Sequence, residues 1–189
     1  MTPTEILAVV FSVLCVVLSI RRNVLNWPAG LVGVTAYAIL FFREKLYADL
    51  VLQVFFFLQG VYGWLSWSHS QEQDHDILVS LLTDKQRIFY VLVIAMISFV
   101  WGFSLSQFTD ASVPYIDAFA STTSFVANWL MARRKIESWI LWFTADSVYI
   151  GLFWYKELYL SSGIYTVFTI MAITGFLEWR RKSLSTASR

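Results

Sequence analysis

Four polar side chains stand out in the apolar stretch 115–132. Asp117, Ser121, Ser124 and Asn128 follow one another at steps of four, three and four. Residues three and four apart share one face of a helix, so this spacing predicts a polar stripe on a single helix. A carboxylate, two hydroxyls and an amide in a row can bind a solute that carries several polar groups. Alternatively, the serines only stabilise contacts between helices, and Asp117 is solvated near a helix end.

A second candidate stripe surrounds an acid with aromatic rings. Trp139, Trp142, Asp146 and Tyr149 are spaced by three, four and three residues, with Phe153 a further turn on. A buried carboxylate needs a positive or hydrogen-bonding partner, and the faces of Trp and Tyr attract cations within about 6 Å. Together these residues suit an aromatic, cationic solute. Trp139 could instead belong to the aromatic belt at a membrane interface.

Amide and aromatic side chains recur in the stretch 49–67. Gln53 and Trp64 share one predicted helix face, and Gln59 and Tyr62 lie on neighbouring faces. Their amides can hydrogen-bond to a planar heterocycle and their rings can stack on it. Either glutamine could equally bond to a neighbouring helix, which is the structural alternative.

The remaining chemistry-bearing residues predict no further site. His69 and His75 lie in the polar run 68–86 and lack the spacing of a rigid metal site. The sequence has no glycine-rich phosphate loop, no Ser-His-Asp set and no His-Glu-x-x-His motif. Cys15 is the single cysteine, so a disulfide within the chain is impossible. We therefore expect no metal, no cofactor and no ATP-driven pumping by this chain alone.

The composition indicates that these stripes lie in a membrane. Hydrophobic residues make up 58% of the 189 residues and charged residues 14%, whereas soluble domains have about 45–50% and about 25%. Little of the chain is left for a soluble catalytic domain. The formal net charge is +1, with basic residues scattered at the ends of apolar stretches. This pattern argues against nucleic acid as a partner and for a lipid bilayer.

The sequence contains a gapless repeat at an offset of 112 positions, the difference between Trp27 and Trp139. The aligned residues include Tyr37 with Tyr149, Gly63 with Gly175, Trp67 with Trp179, and Gln53 with a further site candidate, Tyr165. Chance rarely aligns so many aromatic residues, so the pattern indicates a duplicated bundle of membrane helices. Such bundles often bind a transported solute between the repeats. Transport is therefore the leading class of function.

Seven stretches are apolar enough to cross a bilayer core about 30 Å thick, which takes about 20 residues per helix. They cover residues 5–20, 27–42, 49–67, 88–106, 115–132, 139–155 and 158–179. Each repeat has an odd number of spans, so the span between them makes the repeats parallel. We expect an all-α membrane protein in which a linker helix joins two parallel three-helix repeats. The corresponding divisions are 1–67, a cytoplasmic loop and linker helix 68–114, 115–182, and a cytoplasmic tail 183–189.

The basic residues predict the orientation of the spans. Eleven of the 14 Lys and Arg residues fall on one face of the membrane, and Arg43, Lys45 and Lys156 fall on the other. The face richer in Lys and Arg is cytoplasmic by the positive-inside rule. The N-terminus is therefore expected outside and the C-terminus inside. The first span follows no basic segment and precedes no cleavage site, so we expect it to be retained.

The chain resembles PnuC-type vitamin transporters over nearly its whole length. In the first repeat the likeness rests on Asn26-Trp27-Pro28, the run from Leu46-Tyr47 to Phe55-Phe56, Tyr62-Gly63-Trp64 and Trp67. In the second repeat it rests on Glu137-Ser138-Trp139-Ile140-Leu141-Trp142, Lys156-Glu157-Leu158-Tyr159, Tyr165, Gly175 and Glu178-Trp179.

The resemblance implies a SWEET-like fold and a bacterial inner-membrane facilitator that forms a homotrimer. It implies nicotinamide riboside as the principal substrate, trapped by a separate cytoplasmic kinase on the way to NAD. It also supports Trp139, Trp142, Asp146, Tyr149 and the glutamines and aromatics of the third span as pocket residues. Related members carry thiamine or riboflavin, so the vitamin stays open. Neutral riboflavin fits a pocket that contains an acid less well.

Three functions compete on this sequence. The first is a uniporter that binds its solute between the repeats and alternates access by rocking. The second is an intramembrane enzyme with Asp117 and Asp146 as a catalytic pair, which requires carboxylates within about 4 Å of each other. The third is a scaffold or receptor without a cavity. The duplicated apolar architecture and the resemblance favour the uniporter.

Overall fold

The computed structural model describes residues 3–43, 47–74, 77–109 and 112–187. The sequence analysis also makes predictions about residues that lie outside these ranges, namely Glu44, Lys45, Leu46, His75, Asp76 and Arg189. Seven helices occur in the described chain: α1 (Pro3–Ile20), α2 (Asn26–Arg43), α3 (Tyr47–Asp74), α4 (Asp84–Phe108), α5 (Pro114–Ala132), α6 (Glu137–Tyr155) and α7 (Tyr159–Ala187). The predicted all-α fold with seven helices is confirmed.

Some helices extend beyond the apolar stretches that predicted them. α3 continues to Asp74 and α7 to Ala187. His69, expected in a loop, therefore lies on α3. Apolar character is needed only where a helix meets hydrocarbon, so polar residues can prolong the same helix beyond the bilayer. The apolar pattern gave the position of each span but underestimated these helix lengths.

Among the described helices, four are long and apolar enough by themselves to cross a membrane: Pro3–Ile20, Leu50–Gln71, Asp84–Phe108 and Tyr159–Leu184. α5 is not among these four helices, and many of its side chains are buried, including Ala118, Thr123 and Ala127. On α4, by contrast, large apolar side chains such as Met96 and Phe99 are exposed. A helix that its neighbours shield from lipid can carry polar residues, whereas a helix facing lipid cannot.

The repeat is visible in the backbone at the ends of α1 and α5. Arg22 and its equivalent Arg134 both have positive φ, 56° and 58°. In each case the next N–H donates to the carbonyl five positions earlier at 2.9 Å. This pattern is a Schellman motif, which ends a helix and turns the chain. The duplication in the sequence therefore corresponds to duplicated local structure.

One aromatic contact recurs between the second and third helices of each repeat. Trp27 of α2 meets Trp67 of α3 edge to face, with ring centroids 5.5 Å apart. Gly63 lies against the Trp27 ring so closely that an added Cβ would come within 2.4 Å of it. The equivalent set in the second repeat is Trp139, Gly175 and Trp179. Small residues let membrane helices approach closely, and here they make room for a buried indole.

The helices form two compact units. The first comprises Met1–Leu78 with Met131–Arg134, and the second comprises Val79–Leu130 with Lys135–Arg189. In the first unit α2 packs against α1 and α3, and in the second α6 packs against α7. A core cluster in the second unit is made of Leu82, Ile94, Val126 and Leu130.

Candidate functional site

A contact between Ser121 and Tyr149 joins the two predicted stripes of the second unit. Ser121 Oγ of α5 lies 3.3 Å from the Tyr149 hydroxyl of α6. The turn at 133–136 lies midway between these residues in the chain, so α5 and α6 run antiparallel and the two residues stand at about the same height. The α5 and α6 stripes therefore meet at this level.

Tyr165 of α7 completes an aromatic cluster around this contact. Its ring centroid lies 4.9 Å from that of Tyr149 and 5.2 Å from that of Phe153. Tyr149 and Phe153 stack with centroids 5.7 Å apart and an interplanar angle of 20°. We call Ser121, Tyr149, Phe153 and Tyr165 the second-repeat cluster. It offers flat aromatic surface with hydroxyl groups at its edge.

Phe168 also contacts the second-repeat cluster and was not predicted as a site residue. Its ring meets that of Tyr165 edge to face, with centroids 5.9 Å apart. It follows Tyr165 by three residues, a spacing that places both on one helix face. That spacing was the available signal, but Phe168 has no polar atom to distinguish it from the other apolar residues of α7.

Asp146 lies one helical turn from Tyr149 and is only 4% exposed. Within the described residues its carboxylate has neither a hydrogen bond nor an ion pair. An ionised carboxylate that is buried without a partner is very costly. The negative charge therefore has to be balanced, by a proton or by a cation that enters from outside the chain.

Other members of the two stripes are engaged in different ways. Ser124 donates a hydrogen bond to the Ala120 carbonyl at 2.9 Å, within its own helix. Asn128 and Trp142 are half-buried. The Ser124 hydroxyl also interacts with the Tyr149 side chain, so it lies beside the second-repeat cluster. Solute contacts of Asn128 and Trp142 stay predictions.

Trp139 is packed in the aromatic contact that both repeats share. It is 2% exposed, and a Cβ added to Gly175 would come within 2.6 Å of its ring. Among the described residues, neither its Nε1 nor that of the equivalent Trp27 has a hydrogen-bond partner. Because Trp27 has the same surroundings, the packing of the repeat accounts for the position of Trp139. A solute contact of Trp139 stays a prediction.

The α3 candidates differ in exposure. Gln59 is 8% exposed, whereas Tyr62 and Trp64 are 41% and 42% exposed. Gln53 is half-buried. Tyr62 and Trp64 thus lie at the surface of the first unit, and only Gln59 is buried. Their joint role in binding a solute stays a prediction.

The first repeat keeps the tyrosine of the second-repeat cluster but not the serine and the acid at the positions of Ser121 and Asp146. Tyr37 stacks on Phe41 with ring centroids 5.9 Å apart and an interplanar angle of 21°. The two positions equivalent to Ser121 and Asp146 hold Val9 and Val34. A hydroxyl at position 121 and an acid at position 146 are therefore features of the second repeat that the first lacks.

Asp117 and Asp146 do not form a catalytic pair in this structure. Asp117 lies one turn from Ser121 in the direction away from the α5–α6 turn, and Asp146 lies one turn from Tyr149 toward it. At a rise of 1.5 Å per residue, their heights differ by about 10 Å. Two carboxylates that share a proton or a metal must lie much closer. The described residues also contain no group of three or more His, Cys, Asp or Glu placed to hold a metal.

Comparison with known proteins identifies the family. The sequence model described as nicotinamide mononucleotide transporter matches residues 2–181. The chain belongs to the nicotinamide mononucleotide transporter family. Members of this family are membrane transporters and not enzymes. The hypothesis of an intramembrane enzyme is therefore wrong. With its apolar helices, the chain is a multi-pass membrane protein.

Named relatives of the nicotinamide mononucleotide transporter family agree with this assignment. The nicotinamide riboside transporter PnuC of Escherichia coli is 28% identical over 98% of this chain and 88% of its own length. The Neisseria mucosa protein of the same name is 24% identical over 92% of this chain and 70% of its own length. The riboflavin/roseoflavin transporter RibM of Streptomyces davaonensis is 21% identical over 92% of this chain and 83% of its own length.

A solved structure shows the same fold. The crystal structure of the vitamin B3 transporter PnuC superposes with a TM-score of 0.77 at 23% identity, covering 96% of this chain and 82% of that one. The family match, the named relatives and this shared fold together confirm the resemblance to PnuC-type transporters that the sequence motifs indicated.

Proposed function

We propose that this protein transports nicotinamide riboside across the bacterial inner membrane by facilitated diffusion. The family assignment and the names of two relatives support a vitamin of this kind. The observation that carries the choice is the second-repeat cluster beside the buried Asp146, for which the described residues provide no hydrogen bond or ion pair.

The chemistry of nicotinamide riboside fits these groups. Its pyridinium ring is flat and positively charged, and its ribose and carboxamide are polar. The rings of Tyr149, Phe153 and Tyr165 can cover the flat ring, and the Asp146 carboxylate can balance its charge. The Ser121 hydroxyl is placed to bind a polar group.

The Asp146 carboxylate and the lack of basic residues nearby in the sequence favour the riboside over its phosphorylated form. A phosphate would bring negative charge toward Asp146, and no Lys or Arg occurs in residues 114–132, 137–155 or 159–179. Like charges that face each other in a site of low dielectric repel strongly. We therefore expect nicotinamide mononucleotide to be excluded.

The transport mode and the architecture form a second part of the proposal. We propose uniport with alternating access, a substrate gradient maintained by a cytoplasmic kinase, and a homotrimer, as the resemblance implies. We also propose two parallel three-helix repeats, 1–67 and 115–182, joined by 68–114, with a tail at 183–189. The basic residues support an outside N-terminus and a cytoplasmic C-terminus.

Riboflavin is the second candidate, because RibM is among the relatives. Thiamine, which is also cationic, would satisfy Asp146 as nicotinamide riboside does. Purified protein in liposomes, tested with radiolabelled nicotinamide riboside, nicotinamide mononucleotide, thiamine and riboflavin, separates these possibilities. We expect saturable uptake of nicotinamide riboside alone. Uptake of another compound in its place would overturn the choice of substrate.

A matched pair of variants tests the location of the site. Tyr149→Ala removes a ring of the second-repeat cluster, and Tyr37→Ala removes the equivalent ring of the first repeat. We expect uptake to be lost in Tyr149→Ala and kept in Tyr37→Ala. Size-exclusion chromatography should show that both variants elute like the folded parent. Equal loss in both would contradict the assignment to the second repeat.

A further inference from the structure

The segment 77–83 between α3 and α4, here called the strap, is tied to the beginning of α6. Ser80 and Lys135 pair as an isolated parallel bridge. The Ile136 N–H donates to the Ser80 carbonyl at 3.1 Å, and Lys135 Nζ donates to Ser80 Oγ at 2.8 Å. Backbone and side chains thus hold the strap against the turn that precedes α6.

Glu137, the first residue of α6, is the centre of this attachment. Both of its carboxylate oxygens accept from the Leu82 N–H, at 3.0 and 3.1 Å. Arg87 of α4 donates to Oε1 through Nε at 3.1 Å and through Nη2 at 2.9 Å. The Glu137 side chain is 12% exposed, and the amino end of a helix favours a negative charge. This buried anion is therefore well satisfied.

The strap is also anchored by apolar burial at both ends. Ile77 is 3% exposed and Leu82 is 6% exposed, and Leu82 belongs to the core cluster of the second unit. Thr83, the last strap residue, caps α4 through a reciprocal capping box with Gln86. Lifting the strap would expose Leu82, disturb the cap and remove the Leu82 N–H from the Glu137 carboxylate.

This attachment, like the second-repeat cluster, depends on a polar residue that the first repeat lacks at the equivalent position. The first-repeat equivalent of Glu137 is Leu25, which is 57% exposed. Asp146 and Tyr149 lie on the same helix as Glu137, α6, about 2.5 and 3.3 turns further on. A helix is stiff over this length, and Leu82 packs in one cluster with Val126 and Leu130 of α5. Fixing the first residue of α6 on Leu82 therefore also sets the height of Asp146 and Tyr149 relative to Ser121.

We propose that Glu137 is a positioning residue for the solute site: with Arg87 and the strap it fixes the beginning of α6, and this attachment stays closed throughout the transport cycle. This proposal rests on the proposed function in one respect: the protein must transport a solute, whichever vitamin that is. Its tests therefore use whichever vitamin of the panel the parent protein takes up.

The first test separates positioning from overall stability. Glu137→Gln keeps an acceptor for Leu82 but removes the charge that pairs with Arg87. We expect the KM for uptake to rise about tenfold or more, while the amount of folded protein stays close to that of the parent. Glu178→Gln, which breaks the exposed pair with Arg181, is the matched control and should keep its KM. An unchanged KM in Glu137→Gln would overturn the positioning role.

The second test asks whether the attachment opens. Ser80→Cys with Lys135→Cys, in a Cys15→Ala background, places two thiols at bridge-paired positions. Paired backbone segments lie about 5 Å apart, which suits a disulfide. We expect oxidation to form the bond and the uptake rate to be the same before and after reduction. Uptake that is blocked by oxidation and restored by reductant would show that the attachment must open. Failure to cross-link would contradict the Ser80–Lys135 pairing itself.

The Cys15→Ala parent distinguishes these outcomes from a failure of the proposed function. If this parent takes up thiamine or riboflavin and not nicotinamide riboside, the choice of substrate is wrong. The cross-linking result with the compound that it does take up still decides the proposal about Glu137. If the parent carries none of the panel, both proposals fall.

Discussion

Gly175 of α7 lies against the indole of Trp139 in α6 so closely that a Cβ on the glycine would come within 2.6 Å of ring carbon Cδ2. The equivalent Gly63 stands in the same relation to Trp27, at 2.4 Å from Cη2. Both indoles are buried, and neither ring can move away without losing its edge-to-face partner. These contacts fix how closely the paired helices approach in each repeat.

Gly63→Ala and Gly175→Ala should therefore destabilise the protein by similar amounts. An added methyl group overpacks a buried contact, which costs about 1–3 kcal/mol. Thermal unfolding in detergent would measure the loss. Gly163→Ala is the control, because nothing lies within 4 Å of a Cβ at Gly163. Equal stability of Gly175→Ala and Gly163→Ala would contradict the close packing of Trp139.

Ser121→Ala and Tyr149→Phe should impair uptake in a non-additive way. Each change removes one partner of the same hydroxyl contact, so the double variant should be no worse than the more damaging single one. Neighbours in contact couple by about 0.5–3 kcal/mol. KM values for the parent, the single variants and the double variant complete the cycle. Strict additivity would show that the two hydroxyls act independently.

Asp146→Asn should raise stability while it lowers transport. The amide keeps the shape of the side chain but removes the cost of balancing a buried acid that has no partner among the described residues. The same change removes the group that balances a cationic solute. We expect a higher melting temperature together with a rise of at least tenfold in the KM for nicotinamide riboside. A stable variant with unaltered KM would show that Asp146 does not contact the solute.

Glu157→Gly should stabilise the end of α6. Glu157 has a φ of 59°, in the left-handed region, and the Leu158 N–H donates to the Phe153 carbonyl at 2.8 Å. A left-handed conformation costs a residue other than glycine roughly 1–2 kcal/mol, which glycine avoids. Glu157→Ala, which keeps that cost, is the control. A glycine variant that melts no higher than the alanine variant would exclude strain at this turn.

The contacts of the candidate residues were less predictable than their helical placement. The stripes at Ser121 and at Tyr149 followed from spacing alone, but their meeting depends on the turn that makes α5 and α6 antiparallel. Trp139 and Trp142 looked equivalent by spacing, yet Trp139 is buried against Gly175 while Trp142 is half-buried. Periodicity tells which residues share a face, but it does not tell what that face touches.

The sequence by itself determined the number of helices, the repeat and the membrane environment. The apolar stretches predicted the helices, and aligned residues such as Trp27 and Trp139 revealed the duplication. Both features can be recognised along the sequence without knowing any contact. Only the tertiary structure decided that Ser121 meets Tyr149 and that Glu137 binds Leu82, 55 positions away in the chain. Such contacts join distant segments, and they depend on helix direction and packing that no local pattern of residues encodes.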